Sequence, residues 1–543
     1  MRSTRSWRAL VFPVIVTLLL TPFMLAQFPA VAQGQAGAEQ IAGQSAPSLT
    51  PTRYAPRFST SPQAPSAAQL AAVETERNRI DAAWRNRTVG KDPGVAGSPQ
   101  GVPETPAAGI SPNAPGTYTI FRTTAVAGAP AGFKSNVAEP AVAQSGKQAW
   151  LTHNWYAARS ADGGVTWTYV SPFTDMADFC CDQDAIYDRG RDIIIWYRQG
   201  IYNTAPAPAG QNRIKIGVST NGGVSWCTYT FSPVNINGAW TTQWFDYPQV
   251  YLTNNYLYFT SNMFSGAGSF LRMFVGRWSL DTIRACLAVS TTYWTKTTGW
   301  SWTGAQGGRS TFYLGDNSFG STTFYIGSIP DATTTLTAVS RTITAFLGTN
   351  RDGLCPGPTG TNPCLRADQR ITNGWVRWNP ERNVVELGFA WNVKQGGSFP
   401  KPYVYVFLFN VTSALANLAY APMWNSGTTA FQYFYGSPNV RGALGFLVYE
   451  FNTAVNPKLD LGIDDDYNGN PAPWSLFLGA SSTGAPAANV WGDYSRVRYH
   501  APQGTGFVAA GFTSTGSSNN TQPRYIVFGR DRDRFGILRF IGL

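Results

Sequence analysis

One short phrase occurs twice in this chain. Ser160-Ala161-Asp162-Gly163-Gly164-Val165-Thr166-Trp167 returns 59 residues later as Ser219-Thr220-Asn221-Gly222-Gly223-Val224-Ser225-Trp226. The shared pattern is S-x-[D/N]-G-G-x-[T/S]-W. An acid or amide at the third position accepts hydrogen bonds from backbone N–H groups just beyond it and folds the turn on itself. The two glycines supply the positive φ of a tight hairpin. The Trp opens the next strand and covers the turn. A repeat at this period predicts an array of small β-units rather than one irregular domain.

The phrase resembles the Asp-box, or BNR repeat, of sialidase-like β-propellers, of which the chain would be a divergent member. In that family the box caps a hairpin on a blade rim, away from the active site. The resemblance therefore implies structural roles for Ser160, Asp162, Gly164 and Trp167, and for Ser219, Asn221, Gly223 and Trp226. It also implies three arginines clamping a carboxylate, a Tyr with a Glu as nucleophile, an Asp as acid/base, and Arg-Ile-Pro on the first strand. Here that place reads Phe121-Arg122-Thr123-Thr124, and the propeller region holds only Glu139, Glu381, Glu386 and Glu450. Glu450, in Val448-Tyr449-Glu450-Phe451, is the one expected to meet a tyrosine.

A weaker repeat sets the blade register. Cys181-Asp182-Gln183-Asp184-Ala185-Ile186-Tyr187 matches Phe245-Asp246-Tyr247-Pro248-Gln249-Val250-Tyr251 and Gly492-Asp493-Tyr494-Ser495-Arg496-Val497-Arg498. Comparable starts fall near Glu139, Asp182, Asp246, Ser310, Asp368, Tyr435 and Asp493, at intervals of 43 to 67 residues. A four-stranded blade takes about 40 to 50 residues plus loops. The expected fold is all-β: a propeller of four-stranded antiparallel blades over residues 116–543, seven in number, with six as the alternative. The strand at 117–124 is expected to close the ring beside the last blade. Stacked β-sandwiches account less well for the regular interval.

The innermost strand of each blade lines the central channel, so its start gathers side chains into a common cup. Candidates for chemistry are Asp182, Asp246 and Asp493, with Tyr247 and Tyr494, and Arg309, Arg370 and Arg496. Acids, tyrosines and arginines converging on one pocket form a polar site. Taken singly, each repeated Asp reads as a strand-start residue that accepts backbone N–H bonds. The only histidines, His153 and His500, fall in the first and last blades, and no G-x-S-x-G elbow accompanies them. Asp464, Asp466 and Asn468, with Gly469, have the alternate spacing of a calcium loop, although position twelve is Ser475 rather than Glu. The alternative is a solvated acidic hairpin. No other cofactor is expected.

The N-terminus reads as a secretory signal over residues 1–32, with Arg2, Arg5 and Arg8 before an apolar run and Ala30-Val31-Ala32 at the cleavage site. This implies a secreted, periplasmic or extracellular protein. Six cysteines suit disulfides there. Cys355 and Cys364 bracket a Gly/Pro loop, and Cys227 and Cys286 follow the last hairpins of successive units. That leaves Cys180 and Cys181, joined to each other, paired elsewhere or reduced. Residues 33–115 read as an Ala/Pro/Gly-rich arm or linker with a helix at 67–87, whose Leu70, Val73, Ile80 and Trp84 share a face. Asn86, Asn410 and Asn519 sit in glycosylation sequons. The formal charge of +11 is spread over scattered Lys and Arg, which does not favour nucleic acid, and no segment reads as a stable membrane span. Abundant aromatics suit sugar rings. The first functional expectation is a propeller that binds a glycan or other extracellular polymer through its channel. The second is a glycoside hydrolase or lyase using channel Asp, Tyr and Arg, favoured if acid, Tyr and Arg share one deep pocket. The third is a scaffold of the cell envelope.

Overall fold

The computed structural model describes residues 38–85, 116–128, 137–317, 323–343, 354–358, 360–366, 370–380, 382–396, 399–425, 427–465, 474–486, 489, 491–515 and 520–541. The expected signal segment, Asn86 and Asn519 lie outside them. No helix among the described residues is long and apolar enough to cross a membrane.

Among the described residues seven four-stranded antiparallel units follow one another, and the chain is a β-propeller. Their innermost strands are Ala141–Ser145, Phe179–Asp188, Gln243–Leu252, Thr303–Gln306, Ile371–Asn379, Ala430–Pro438 and Arg496–Tyr499, for blades 1 to 7. The ring closes as expected: Tyr118–Ala125 is the outermost strand of blade 7, antiparallel to Asn520–Arg530. Blades 4 and 5 are also joined at the channel by a short parallel pairing, Ala305 with Gly374 and Gln306 with Trp375.

Strands rich in Ile, Val, Phe, Tyr and Trp put apolar side chains on both faces of each blade, and each face must be covered by the next blade. The core is accordingly divided into layers between blades. Ile195, Ile216 and Phe231 of blade 2 meet Phe245, Phe259 and Phe274 of blade 3. Trp150 of blade 1 meets Trp196 and Trp226 of blade 2, ring centres 5.0 and 4.7 Å apart. Each large apolar side chain buried this way contributes about 1.5–3 kcal/mol.

The repeated phrase folds as its residues dictate. Asp162 Oδ1 accepts the N–H groups of Val165 and Thr166 at 3.0 and 2.9 Å, and Ser160 Oγ accepts that of Gly164 at 2.8 Å. In the second copy Asn221 Oδ1 accepts Ser225 N–H and Ser219 Oγ accepts Gly223 N–H, both at 2.9 Å. Gly164 and Gly223 have φ of 89° and 87°.

The arm departs from the linker expected of its composition. Glu39–Ala42 pairs with the outer strand of blade 4, Gln44–Ser45 with that of blade 3, and Thr52–Tyr54 with that of blade 2. Ser59 bridges to Tyr169 on the outer strand of blade 1. The arm thus covers sheet edges that would otherwise present unpaired N–H and C=O groups. Its helix, Ala67–Arg85, then packs Val73 against Phe173, Phe179 and Cys180.

The cysteines pair as Cys180–Cys181, Cys227–Cys286 and Cys355–Cys364. The second bond ties the outer strand of blade 2 to the segment after the helix Leu280–Arg284 in blade 3. Three disulfides are compatible with an extracellular protein.

Candidate functional site

Where the innermost strands begin, four carboxylates from different blades converge. Asp182 and Asp246 stand on the first turns of pleat of blades 2 and 3, and Glu139 and Asp493 just ahead of the inner strands of blades 1 and 7. Together with Val137, Asn154, Cys181 and Tyr247 they line one small cavity. Arg77 and Ile80 of the helix form its outer wall.

Glu139 is held by donors: Asp493 N–H reaches Oε1 at 3.0 Å and Asn154 Nδ2 reaches Oε2 at 2.7 Å. Asp246 Oδ1 accepts from Gln199 Nε2 at 3.2 Å. Asp493 pairs with Arg370 Nη2 at 3.1 Å. Among the described residues no salt bridge to Asp182 is formed. Burial pushes its carboxyl well above the usual carboxylate range, and the charges of Glu139, Asp246 and Asp493 push it further. Its carboxyl also shares a hydrogen bond with Glu139, which raises the pKa in the same direction.

A bulge between Asp246 and Gln249 puts Tyr247 in the left-handed region at φ 57°. The Arg370 guanidinium lies over its ring, 3.9 Å from the centre. Such backbone strain at a non-glycine residue persists only where surrounding contacts enforce it. Cys181, at φ 64°, does the same on blade 2.

Below this layer the channel is filled by a fixed network. Asp184 Oδ2 accepts from Arg496 Nε and Nη2 at 3.1 and 2.9 Å and from Val250 N–H at 3.0 Å, while Oδ1 accepts from Arg498 Nη2 at 3.2 Å. Tyr494 donates to the Gln183 carbonyl at 3.0 Å and accepts the Gln183 N–H at 2.9 Å. Tyr494 is buried and its hydroxyl fully used, so it braces blade 7 against blade 2.

Of the sequence candidates, the structure brings together Asp182, Asp246, Tyr247, Arg370 and Asp493. It places Tyr494 and Arg496 one layer deeper. Arg309 is elsewhere: the innermost strand of blade 4 is the four-residue Thr303–Gln306, so Arg309 follows that strand and lies at the opposite mouth. Ser310, read as a blade start, instead precedes the second strand of that blade, Thr311–Asn317. Glu450 pairs with Lys458 at 3.0 Å rather than with a tyrosine. Asp464 pairs with Arg377, and Asp466 and Asn468 lie outside the described residues. Among the described residues no group of His, Cys, Asp and Glu is arranged to hold a metal ion. His153 and His500 are buried and uncharged, their pKa lowered to about 3 by burial. Sequence reasoning missed Asp184 and Arg77. Asp184 had a signal, the second acid of Asp182-Gln183-Asp184; Arg77 had none.

No family model matches the chain, and neither does any curated protein. Solved structures with a similar course include the NanB sialidase of Streptococcus pneumoniae, at 8% identity and a TM-score of 0.39 over 61% of this chain and 67% of that one. The α-L-arabinofuranosidase Arb93A of Fusarium graminearum matches at 10% identity and 0.38, over 75% and 97%. The α-L-arabinanase of Penicillium chrysogenum matches at 12% and 0.36, over 77% and 99%.

Proposed function

We propose that this chain is an exported, glycan-active propeller whose acidic mouth cleaves glycosidic bonds by general acid/base chemistry. One observation carries the reading: Asp182, a buried carboxyl whose pKa is pushed well above the usual range, shares one cavity with Glu139, Asp246 and Asp493, which have their own donors. Glycoside hydrolysis needs a protonated acid and an ionised carboxylate flanking one bond. Asp182 delivers its proton to the glycosidic oxygen as the C–O bond breaks. Asp246 takes a proton from the water that adds to the sugar carbon. Arg370, held over Tyr247, is the cation that positions an acidic or hydroxyl group of the substrate.

The cavity under the helix measures about 30 Å³, too small for a sugar ring, so turnover requires the helix to move. Binding without turnover is the second reading, and the same experiment separates the two. Polysaccharides of varied linkage are incubated with the mature protein, and both retention and reducing-end release are measured. Release that Asp182→Asn and Asp246→Asn abolish, with retention intact, supports the hydrolase. Retention without release in the unsubstituted protein supports a lectin-like role.

A further inference from the structure

The opposite mouth of the channel is open. The C-terminal ends of the innermost strands surround a cavity of about 500 Å³ to which all seven blades contribute, from Ala143 in blade 1 to Tyr499 in blade 7. Among the described residues four arginines line it, Arg189, Arg309, Arg377 and Arg498, against one acid, Asp188.

The charges do not cancel. Asp188 is paired with Arg191 at 3.3 Å, and Arg377 with Glu386 and Asp464. Arg189 and Arg309 are exposed and make no ion pair among the described residues. Arg498 is 6% exposed and shares the single carboxylate of Asp184 with Arg496, one acid for two guanidiniums. Among the described residues its Nε has no hydrogen-bond partner although buried. A buried charged donor left unsatisfied is costly, and a bound acceptor removes the cost. The indole of Trp378, 48% exposed, adds an apolar face to the same wall.

We infer that this second mouth is a binding site for an anionic sugar, whose carboxylate or sulfate is held by Arg189 and Arg309 above Arg498 and whose ring lies against Trp378. Guanidinium groups fit planar carboxylates and sulfate oxygens through paired N–H donors. Aromatic faces take the apolar face of a sugar ring. Burial lowers the pKa of Arg498 to about 10 despite Asp184, the state of a cation short of negative charge. This site stands whether or not the acidic mouth is catalytic, because the two share no lining residue.

The test is calorimetric titration of the full mature protein with three oligosaccharides of equal length: oligogalacturonate, a sulfated dextran oligomer and neutral maltohexaose. Binding of either anion, at least tenfold tighter than the neutral oligomer, is expected. Which anion binds tells carboxylate from sulfate. Arg189→Gln with Arg309→Gln is expected to weaken that binding about tenfold per guanidinium removed. Trp378→Ala is expected to weaken it with its salt dependence unchanged. A control pair, Arg53→Gln with Arg57→Gln, removes the same charge from exposed arm positions and is expected to leave binding within about twofold. The inference is overturned if neither anion binds, if maltohexaose binds equally well, or if the control pair weakens binding as much as the cup pair. Circular dichroism of every variant confirms the fold.

Discussion

The ring of Tyr525, on blade 7, occupies the space beside Gly164, in the first glycine turn of blade 1. A Cβ on Gly164 would lie 2.4 Å from that ring. Gly223 has the same relation to Trp150 of the preceding blade, at 2.6 Å. The repeated turn therefore folds its own hairpin and also leaves room for the aromatic residue of the blade before it.

Gly164→Ala meets both a strained φ and the Tyr525 ring, so it is expected to destabilise the protein by about 2 kcal/mol or more. Gly238→Ala, where a Cβ meets nothing within 4 Å, is expected to stay within about 0.5 kcal/mol of the parent. Urea denaturation of the two variants checks this, and equal midpoints would show that the turn tolerates a side chain.

Burial and the neighbouring carboxylates raise the Asp182 pKa in the fold above its unfolded value, so Asp182 costs stability above the ordinary carboxylate range and costs none below it. Asp182→Asn keeps the neutral shape and a donor toward Glu139. The variant is expected to be as stable as the parent at pH 4 and more stable at pH 7, while losing all product release. Thermal unfolding at the two pH values is the measurement; a variant less stable at pH 7 would mean that Asp182 carries charge in the fold.

His153 and His500 act in the opposite sense. Burial holds both near 3, while the unfolded chain binds their protons at the ordinary value of 6.5. Between these limits the unfolded state takes up more protons, so stability falls as pH drops through the window. The expected slope is about 1.4 kcal/mol per pH unit for each histidine. His500→Gln, which retains a partner for Gln144, is expected to remove one such contribution between pH 6 and 4.5. An unchanged slope in urea titrations would place His500 in water.

The helix Ala67–Arg85 is docked over the acidic mouth by apolar packing and by Arg79 and Glu76. Arg79 stacks on Trp244 and Tyr202 at 3.8 and 4.3 Å, Glu76 accepts the Tyr202 N–H at 3.1 Å, and Val73 is buried. Arg79→Ala with Val73→Ser weakens these without touching the propeller. If the mouth is the catalytic site, product release is expected to rise about tenfold, the effect of shifting a covered–uncovered equilibrium by 1.4 kcal/mol. Faster proteolysis within residues 61–85, with no gain in release, would show a helix that braces rather than covers.

Local chemistry made much of this legible. The glycine turns, the blade interval and the closing strand rest on patterns within a few residues, and Cys355–Cys364 and Cys227–Cys286 join as their positions suggested, while the Cys180–Cys181 bond was one of several open outcomes. The arm was not legible, because its strand partners lie far along the chain: Glu39 faces Ala338 and Thr52 faces Thr228. Composition alone marks such a segment as a linker. Arg309 was misplaced because Thr303-Gly304-Ala305-Gln306 lacks the aromatic and β-branched run of its sister strands. The convergence of Asp182, Asp246 and Asp493 was legible from their register; the raised pKa of Asp182 was not, since it arises from burial and from Glu139 on another blade.

The route of the arm sets an order of events. It passes blades 4, 3, 2 and 1 in turn, against the direction in which the chain goes on to lay down those blades. The segment synthesised early is thus among the last to find its place: Glu39–Ala42 must wait for Thr335–Thr342, and Tyr118–Ala125 for Asn520–Arg530. Pairings of such long sequence separation form late. A polypeptide emerging amino end first therefore carries Glu39–Ala42 undocked until blade 4 has appeared, and the ring closes only when Asn520–Arg530 reaches Tyr118–Ala125.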